Sequence, residues 1–351
     1  MHYSNLFNKV YYDNQQVFNK KLNWYFDIKN ILFRKDSNKK ILSDTKQLIK
    51  EYSSLNHLKT KKEKICFKTK KINKKNFLNN KNLIFKKKVI ESINYLKRKK
   101  IGDFLNHLLI QGSLATNDYK ENWSDFDSVG VIKDEILYDY KKILKFRKLL
   151  KTFYKKITKF SKFQHHGIIL FTEHDLKNFL PGYLPVEALK GKSLSVFEPS
   201  IFCVDKVLQK KVNLSKEILF NRKYYLKKGI KDKFYDHHVF DNIKLSIPLK
   251  YNEKSLKQLF VHIGFMLNIP ILYLDALGKS SHKKNSFRKF YKIIGNSNIV
   301  KFIKKHEYLR SNWSNFYKNN KSINKKLVEY LGKNYFNDCL DCINYCLKKI
   351  N

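Results

Sequence analysis

Two aspartates separated by one residue, Asp125 and Asp127, have the chemistry of a metal site in this sequence of 351 residues. Side chains alternate along a strand, so an extended segment places both carboxylates on one face and Phe126 on the other. A hard divalent cation such as Mg²⁺ needs two carboxylates when water and phosphate oxygens fill its remaining coordination positions. The pair therefore predicts a metal site with Asp125 and Asp127 as ligands.

A glycine and a serine upstream of the aspartates have the chemistry of a phosphate contact. The run Leu-Leu-Ile-Gln at 108–111 leads into Gly112 and Ser113, and eleven residues then separate Ser113 from Asp125. Gly112 lets the backbone approach a phosphate closely, and the Ser113 hydroxyl and nearby amides can donate hydrogen bonds to it. We expect this turn to lie beside the aspartates.

Strands that alternate with helices must position these residues. Apolar residues recur with a helical period from about residue 83 to 96, and short apolar runs at 107–110, 126–132 and 167–171 predict strands. A helix is predicted over about 134–160. This alternation predicts an α/β or α+β catalytic domain over 81–195.

The flanking regions differ from this pattern. Residues 1–80 are rich in Lys, Asn and aromatic residues, which indicates a basic N-terminal extension, helical or mixed, with loops near 68–80. Residues 196–351 predict a mostly helical C-terminal domain, with a short strand at 243–249 as the exception. The clearest helical repeat there runs from Leu256 to Leu267, ahead of Pro270.

The central stretch resembles the nucleotidyltransferase superfamily typified by DNA polymerase β and kanamycin nucleotidyltransferase. The signature of that superfamily is an apolar strand, Gly-Ser or Gly-Gly, a gap of a dozen residues and Asp-x-Asp or Asp-x-Glu. Ser124, directly before Asp125, matches the Ser-Asp pair common in the family. The resemblance implies an α+β fold, with a small mixed sheet, flanking helices and a helical C-terminal domain.

The resemblance also implies an activity. A nucleoside monophosphate would pass from a nucleoside triphosphate such as ATP to an acceptor hydroxyl, with pyrophosphate leaving. By this resemblance, Asp125 and Asp127 hold Mg²⁺, with Mn²⁺ as the alternative ion. Gly112, Ser113 and Ser124 are then the nucleotide-binding residues of the catalytic domain.

The third acid of the family is where this sequence departs from the pattern. The corresponding strand reads Gln-His-His-Gly at 164–167, and this resembles one branch of the family. Either His165 or His166 is suited to act as the base or as a metal ligand, because imidazole titrates near neutral pH. The alternative is that both histidines are structural and that Glu173 or Asp175 is the third acid.

A basic segment runs from Gly278 to Lys289. In members of the family with helical C-terminal domains such a segment commonly faces the triphosphate, which assigns Lys283, Lys284 and Arg288 to nucleotide binding. The segment is expected to begin or flank a helix, with Gly278 ending the preceding helix and Ser286 capping the next. The alternative is a solvated loop, because 73 Lys and Arg produce basic clusters by chance.

Three functions are compatible with the resemblance and with the formal net charge of +43. The first is an enzyme acting on a small-molecule acceptor, and the second has RNA or DNA as the acceptor, since polyanions suit a basic surface. The third is an inactive nucleotidyltransferase scaffold that binds nucleic acid. Part of the charge is also what an AT-rich coding sequence gives. The sequence indicates no oligomeric state.

Cysteine content and hydropathy predict a soluble cytoplasmic protein. Five cysteines show no disulfide framework, and no apolar stretch is long enough to span a membrane. The N-terminus lacks the layout of a signal peptide. Cys339, Cys342 and Cys346 share one helical face, which we interpret as core packing, with a metal site as the alternative.

Overall fold

The structure, a computed structural model, describes these residues: 62–72, 83–116, 118–120, 123–157, 168–177, 179, 186–190, 193–207, 214–232, 234–238, 244–248, 256–279, 281, 284–317 and 325–350. It is a mixed α/β chain with small sheets and many helices. Contacts divide the chain into a first unit, which includes residues 125–212 and the chain before residue 120, and a second unit, which includes 120–124 and most of 213–351.

The first unit is built on strands and helices that alternate along the chain. Its elements are β1 (Lys62–Lys68), β2 (Lys70–Lys71), α1 (Leu83–Arg98), β3 (Leu105–Ile110), α2 (Gly112–Ala115), β4 (Ser128–Ile132), α3 (Asp134–Tyr138), α4 (Tyr140–Ile157), β5 (Ile168–Thr172), α5 (Glu173–Lys177), α6 (Val186–Leu189), β6 (Leu194–Ser195) and β7 (Ile201–Val207). The three predicted strands are confirmed as β3, β4 and β5, each with slightly shifted ends. The predicted helix over 134–160 is two helices.

Five described strands form the main sheet in the order β2-β6-β3-β4-β5. Strand β4 runs antiparallel to β3 and parallel to β5, so the sheet is mixed. Both faces of β4 are buried, because Val129 and Val131 pack into one apolar cluster and Ile132 packs into the other. Burial on both faces explains why this strand is a continuous apolar run.

The amphipathic helix α4 covers one face of this sheet. Its buried residues include Ile143, Phe146, Leu150 and Phe153, which recur at three- and four-residue spacing. They join the cluster that contains Ile110 and other residues of the strands. The apolar face of α4 therefore packs in one cluster with residues of β3 and β4.

Strands β1 and β7 form a separate antiparallel pair in the first unit, with Lys62 opposite Val207 and Lys68 opposite Ile201. This pairing joins strands that lie outside the predicted boundaries after residues 80 and 195, and the domain boundaries themselves stay predictions. Residues 62–71 of the predicted extension are strands, and β7 lies beyond the predicted end of the catalytic domain. The predicted boundaries missed this because pairing over such a separation leaves no local signal.

A disulfide joins Cys66 to Cys203 across the β1–β7 pair. The interpretation of the cysteines as lacking a disulfide is therefore wrong for these two residues. They are 137 residues apart in sequence, and their proximity depends on strands whose pairing the sequence does not reveal. The cysteine count consequently gives no argument for a reducing compartment.

The second unit is mostly helical, as predicted for this part of the chain. Its elements are α7 (Leu214–Asp232), β8 (Phe234–His238), β9 (Lys244–Pro248), α8 (Leu256–Ala276), α9 (Lys284–Ile294), α10 (Asn298–Ser311), α11 (Trp313–Phe316), α12 (Lys325–Leu331) and α13 (Tyr335–Ile350). The exceptional strand predicted near residue 243 is confirmed as β9, which pairs with β8. None of the helices in the described part of the chain is both long and apolar enough to cross a membrane.

Helix α13 buries the three remaining cysteines. Cys339, Cys342 and Cys346 lie on the packed face with Ile343 and Leu347, which confirms the interpretation of these residues as part of a helix core. Burial raises the pKa of the Cys339 thiol. The thiol is therefore protonated at neutral pH.

Candidate active site

Antiparallel pairing of β3 with β4 brings the Gly-Ser turn against the second aspartate. Ile110 lies opposite Ser128, and the Gln111 amide donates to the Asp127 carbonyl at 3.1 Å. A Cβ atom at residue 112 would lie 3.1 Å from the Asp127 Cγ and closer still to its Oδ2. Gly112 has φ of +70°, so this position favours glycine both by conformation and by the space available. The turn therefore lies against Asp127, and the roles of these residues in binding a nucleotide or a metal stay predictions.

The two aspartates flank an anchored aromatic residue. Phe126 is 1% exposed and meets Phe153 of α4 edge to face, with ring centres 5.7 Å apart. Asp125 and Asp127 are half-buried, so burial alternates through the segment as predicted. Regular β4 begins only at Ser128, which is two residues later than predicted. The expectation that the two carboxylates lie within about 5 Å of one another stays a prediction.

Asp125 and Asp127 carry hard oxygen ligands of the kind that Mg²⁺ prefers, so they are the residues of this corner that could hold such a cation. The missing side chain of Gly112 leaves the space that the Asp127 carboxylate fills. Within the described residues there is no group of three or more His, Cys, Asp or Glu side chains that could hold a metal ion. A cation held here would therefore take its remaining ligands from water or from a phosphate-bearing substrate.

The two serines of the predicted site have different surroundings. Ser113 is buried in the turn at α2, and its carbonyl accepts a hydrogen bond from the Asp118 amide at 2.9 Å. Ser124 is also buried, and its Oγ accepts from the Lys120 amide at 2.9 Å. Ser124 thus stabilises its own loop, and the contact of either serine with a nucleotide stays a prediction.

The parallel pairing of β4 with β5 shows at which end of the sheet β5 begins. Ile168 lies opposite Ser128, so the chain enters β5 at the end of the sheet where Asp127 lies. His165 and His166 are two and three residues before Ile168 and lie outside the described residues. Their predicted roles therefore stay predictions.

The alternative third acids lie at the other end of this strand pair. Thr172 is opposite Ile132, and four residues of β4 span about 13 Å. Glu173 accepts a hydrogen bond from the Asn106 side chain. Buried Asp175 accepts from the Thr172 amide at 2.7 Å and from its hydroxyl at 2.8 Å. The Asp175 amide donates back to the Thr172 hydroxyl at 3.2 Å, so Thr172 and Asp175 form the capping box of α5. The register therefore does not favour either acid as a partner of Asp127.

A histidine that the sequence did not single out, His107, lies within β3. It is half-buried, contacts the Phe202 ring edge to face and has Nδ1 3.3 Å from the Ser200 Oγ. Burial lowers the pKa of the His107 imidazole, which favours the neutral ring. We interpret His107 as a packing residue, because it pairs with Val131, three residues into β4 from Ser128.

The basic segment is partly described, in the second unit. Gly278 ends α8 with φ of +68°, while the amides of Gly278 and Lys279 donate to the carbonyls of Asp275 and Leu274, respectively, as in a Schellman motif. Helix α9 begins at Lys284, so the predicted cap at Ser286 is wrong, and Ser286 is buried inside the helix.

Arg288 is exposed on α9, and Lys283 lies outside the described residues. The prediction that the basic segment begins a helix is confirmed, because α9 starts within it at Lys284. The prediction that Lys283, Lys284 and Arg288 meet a triphosphate stays a prediction.

Gly112→Ala is expected to reduce the free energy of unfolding by roughly 2–4 kcal/mol, from left-handed backbone strain and steric conflict with Asp127. Gly278→Ala should lose only the strain, about 1–2 kcal/mol, because nothing lies within 4 Å of a Cβ built there. Urea unfolding measures both losses. The double variant Gly112→Ala/Asp127→Ala should be more stable than the sum of its single changes predicts, and strict additivity would contradict the contact.

Comparison with known protein families, with curated proteins and with solved structures found no match to this chain.

Proposed function

We propose that the first unit is a metal-dependent nucleotidyltransferase that moves a nucleoside monophosphate from a nucleoside triphosphate to a hydroxyl of a small-molecule acceptor. Its fold would be the small mixed sheet with flanking helices that the superfamily resemblance implies. The coarse arrangement of β3, β4 and β5 is compatible with that fold. Cytoplasmic location belongs to the same proposal.

The observation that carries the proposal is the close approach of Gly112 to the Asp127 carboxylate. A Gly-Ser turn and an Asp-x-Asp segment can occur together in a sequence by chance. Here the pairing of β3 with β4 places them side by side, and a side chain at residue 112 would disturb that arrangement. Geometry therefore favours a glycine beside Asp127. Such a close approach would suit a site shared by a phosphate and a metal ion.

In this mechanism the acceptor oxygen attacks the α-phosphorus, the bond to the β-phosphate oxygen breaks, and pyrophosphate leaves. A divalent ion at Asp125 and Asp127 would neutralise charge on the triphosphate oxygens. Gly112 and Ser113 would orient the terminal phosphates through close backbone approach and hydroxyl donation. The anchored ring of Phe126 would keep both carboxylates on the half-buried side.

The acceptor proton needs a base, and His166 or His165 is our candidate. His166 and His165 are two and three residues before Ile168 in the sequence. Ile168 pairs with Ser128, so both histidines are close in sequence to the strand end beside Asp127. Neutral imidazole at that end would accept the proton as the new phosphodiester forms.

Incubation with Mg²⁺ and each nucleoside triphosphate labelled at the α-phosphate tests the proposal. The acceptors would be a mixture of aminoglycosides and sugars in one series and RNA in another. Label in a small product supports the proposed acceptor class, whereas label in RNA supports the polynucleotide alternative. If no triphosphate binds in a Mg²⁺-dependent way, measured by calorimetry, the nucleotidyltransferase assignment is wrong.

Replacing Lys283, Lys284 and Arg288 together by Gln should raise the KM for nucleotide several-fold, with little change in kcat. The cations would stabilise the triphosphate, and added salt should reduce the difference by screening. The matched control replaces the exposed residues Lys292, Lys301 and Lys333 by Gln, which removes the same charge. Equal KM values in the two variants would assign the basic segment to background charge.

A further inference from the structure

A cavity of about 440 Å³ lies between α7 and α13, within the second unit. Helix α7 contributes Phe220, Lys223 and Lys227, which follow one another along a single stripe of the helix. Helix α13 contributes Asn344, Lys348 and two leucines. The volume is within the range of small-ligand sites, and none of the described residues that line it is acidic.

The cavity combines an aromatic surface with positive charge. Phe220 is 38% exposed, and Lys216 places a cation 6.0 Å from its ring centre. Tyr224, one turn farther along α7, is 61% exposed. A base can stack on an exposed aromatic ring, and nearby lysines can neutralise the phosphates of the same strand.

Asn344 lines the cavity. Its Oδ1 is buried below the surface, and no described residue supplies a hydrogen-bond partner. A buried amide oxygen without a donor costs free energy, so a rotation of the side chain that brings this oxygen to a donor on a ligand would be favoured. Exocyclic amino groups of adenine, cytosine and guanine are such donors and project from the edge of the base, whereas uracil donates only through its ring N3–H.

We propose that this cavity binds a nucleotide unit of a single-stranded nucleic acid, preferring a base with an exocyclic amino group. The base stacks on Phe220, its amino group donates to Asn344 Oδ1, and the flanking phosphates meet Lys223, Lys227 and Lys348. This site is distinct from the proposed catalytic corner and does not depend on it, because the whole cavity lies within the second unit.

High lysine content alone does not produce this combination. A chance cluster of lysines on this chain accounts for charge. It does not account for an exposed phenylalanine on the same helical stripe or for a lining residue, Asn344, whose amide oxygen is buried without a described donor. The phenylalanine ring would contact the face of a base, and the amide oxygen would contact its edge.

The test is binding of a fluorescent 12-residue oligo(A) to the full chain, measured by anisotropy at several salt concentrations. Lys223→Gln/Lys227→Gln/Lys348→Gln should weaken binding at least tenfold at low salt. It should also reduce the salt-dependence slope by about 2, since three phosphate contacts are lost. The control Lys292→Gln/Lys301→Gln/Lys333→Gln removes the same charge away from the cavity lining. Equal affinities for the two triple variants would overturn the proposal.

Two further variants separate the base from the phosphates. Phe220→Leu keeps apolar bulk and removes the stacking face, so we expect binding about fivefold weaker or more. Oligo(A) should bind at least fivefold more tightly than oligo(U), and Asn344→Leu should abolish this preference. Unchanged affinity in both variants would overturn the proposal, leaving only non-specific charge.

Competition identifies the source of the nucleotide. Unlabelled oligo(A) should displace the probe at much lower nucleotide concentration than AMP, because neighbouring units engage the lysines and Tyr224 together. If AMP competes equally well, the ligand is a free nucleotide and the strand proposal is wrong. Because these measurements need neither Mg²⁺ nor turnover, their failure is distinguishable from failure of the proposed transferase activity.

Discussion

Asp127→Asn is expected to reduce kcat/KM for nucleotide transfer at least a thousandfold, which corresponds to ~4 kcal/mol of transition-state stabilisation. The change is nearly isosteric, so the packing against Gly112 is retained while the negative charge that holds the cation is lost. The melting temperature should change by less than about 3 °C, because the side chain keeps its volume. Initial rates with labelled triphosphate measure the loss, and differential scanning calorimetry checks the fold.

Two controls make this result specific. Asp103→Asn has the same chemistry at an exposed residue just before β3, at the end of the sheet away from Asp127, and should keep transfer within twofold. Titration of Mg²⁺ with a non-hydrolysable triphosphate should show weaker ternary binding for Asp127→Asn, which is a readout independent of turnover. A turnover rate unchanged by Asp127→Asn would remove the metal assignment.

Replacing Cys66 and Cys203 together by Ser should lower the free energy of unfolding by about 3–5 kcal/mol. The disulfide closes a loop of 137 residues, and a loop of this length loses much conformational entropy in the unfolded state. Reductant should lower the midpoint of wild-type unfolding toward that of the variant and leave the variant unchanged. A wild-type midpoint insensitive to reductant would contradict the disulfide.

Alkylation of the unfolded chain provides an independent count of free thiols. Without reductant, mass spectrometry should find three modified residues, Cys339, Cys342 and Cys346, and with reductant it should find all five cysteines. Modification of all five without reductant would show that Cys66 and Cys203 are not bonded.

The site was predictable where its signal is local. The apolar strand ending at Ile110 and the alternation around Phe126 depend on a few adjacent residues, and both predicted features agree with the structure. The helix that precedes Pro270 was also predictable, but α8 continues through this proline to Ala276. Buried Tyr273 and Leu274 stabilise the continuation and offset the lost hydrogen bond.

Features that depend on distant pairing were not predictable. Strand β1 reads Lys-Glu-Lys-Ile-Cys-Phe-Lys, whose many charges conceal a short strand, and its partner lies far along the chain. The capping box between Thr172 and Asp175 is a local signal, since a Thr three residues before an Asp is readable in the sequence. Recognising it would have assigned Asp175 to the start of α5 and removed it from the candidate acids.

The β1–β7 pairing also has a consequence for synthesis on the ribosome. Residue 203 is translated 137 residues after residue 66, which takes roughly 7 to 27 s at ordinary elongation rates. Throughout that interval β1 has emerged without its partner and exposes unpaired backbone groups to other nascent chains. Its exposed lysines at 62, 64 and 68 discourage edge-to-edge association in the meantime. The charges that conceal this strand in the sequence would thus protect it until β7 arrives.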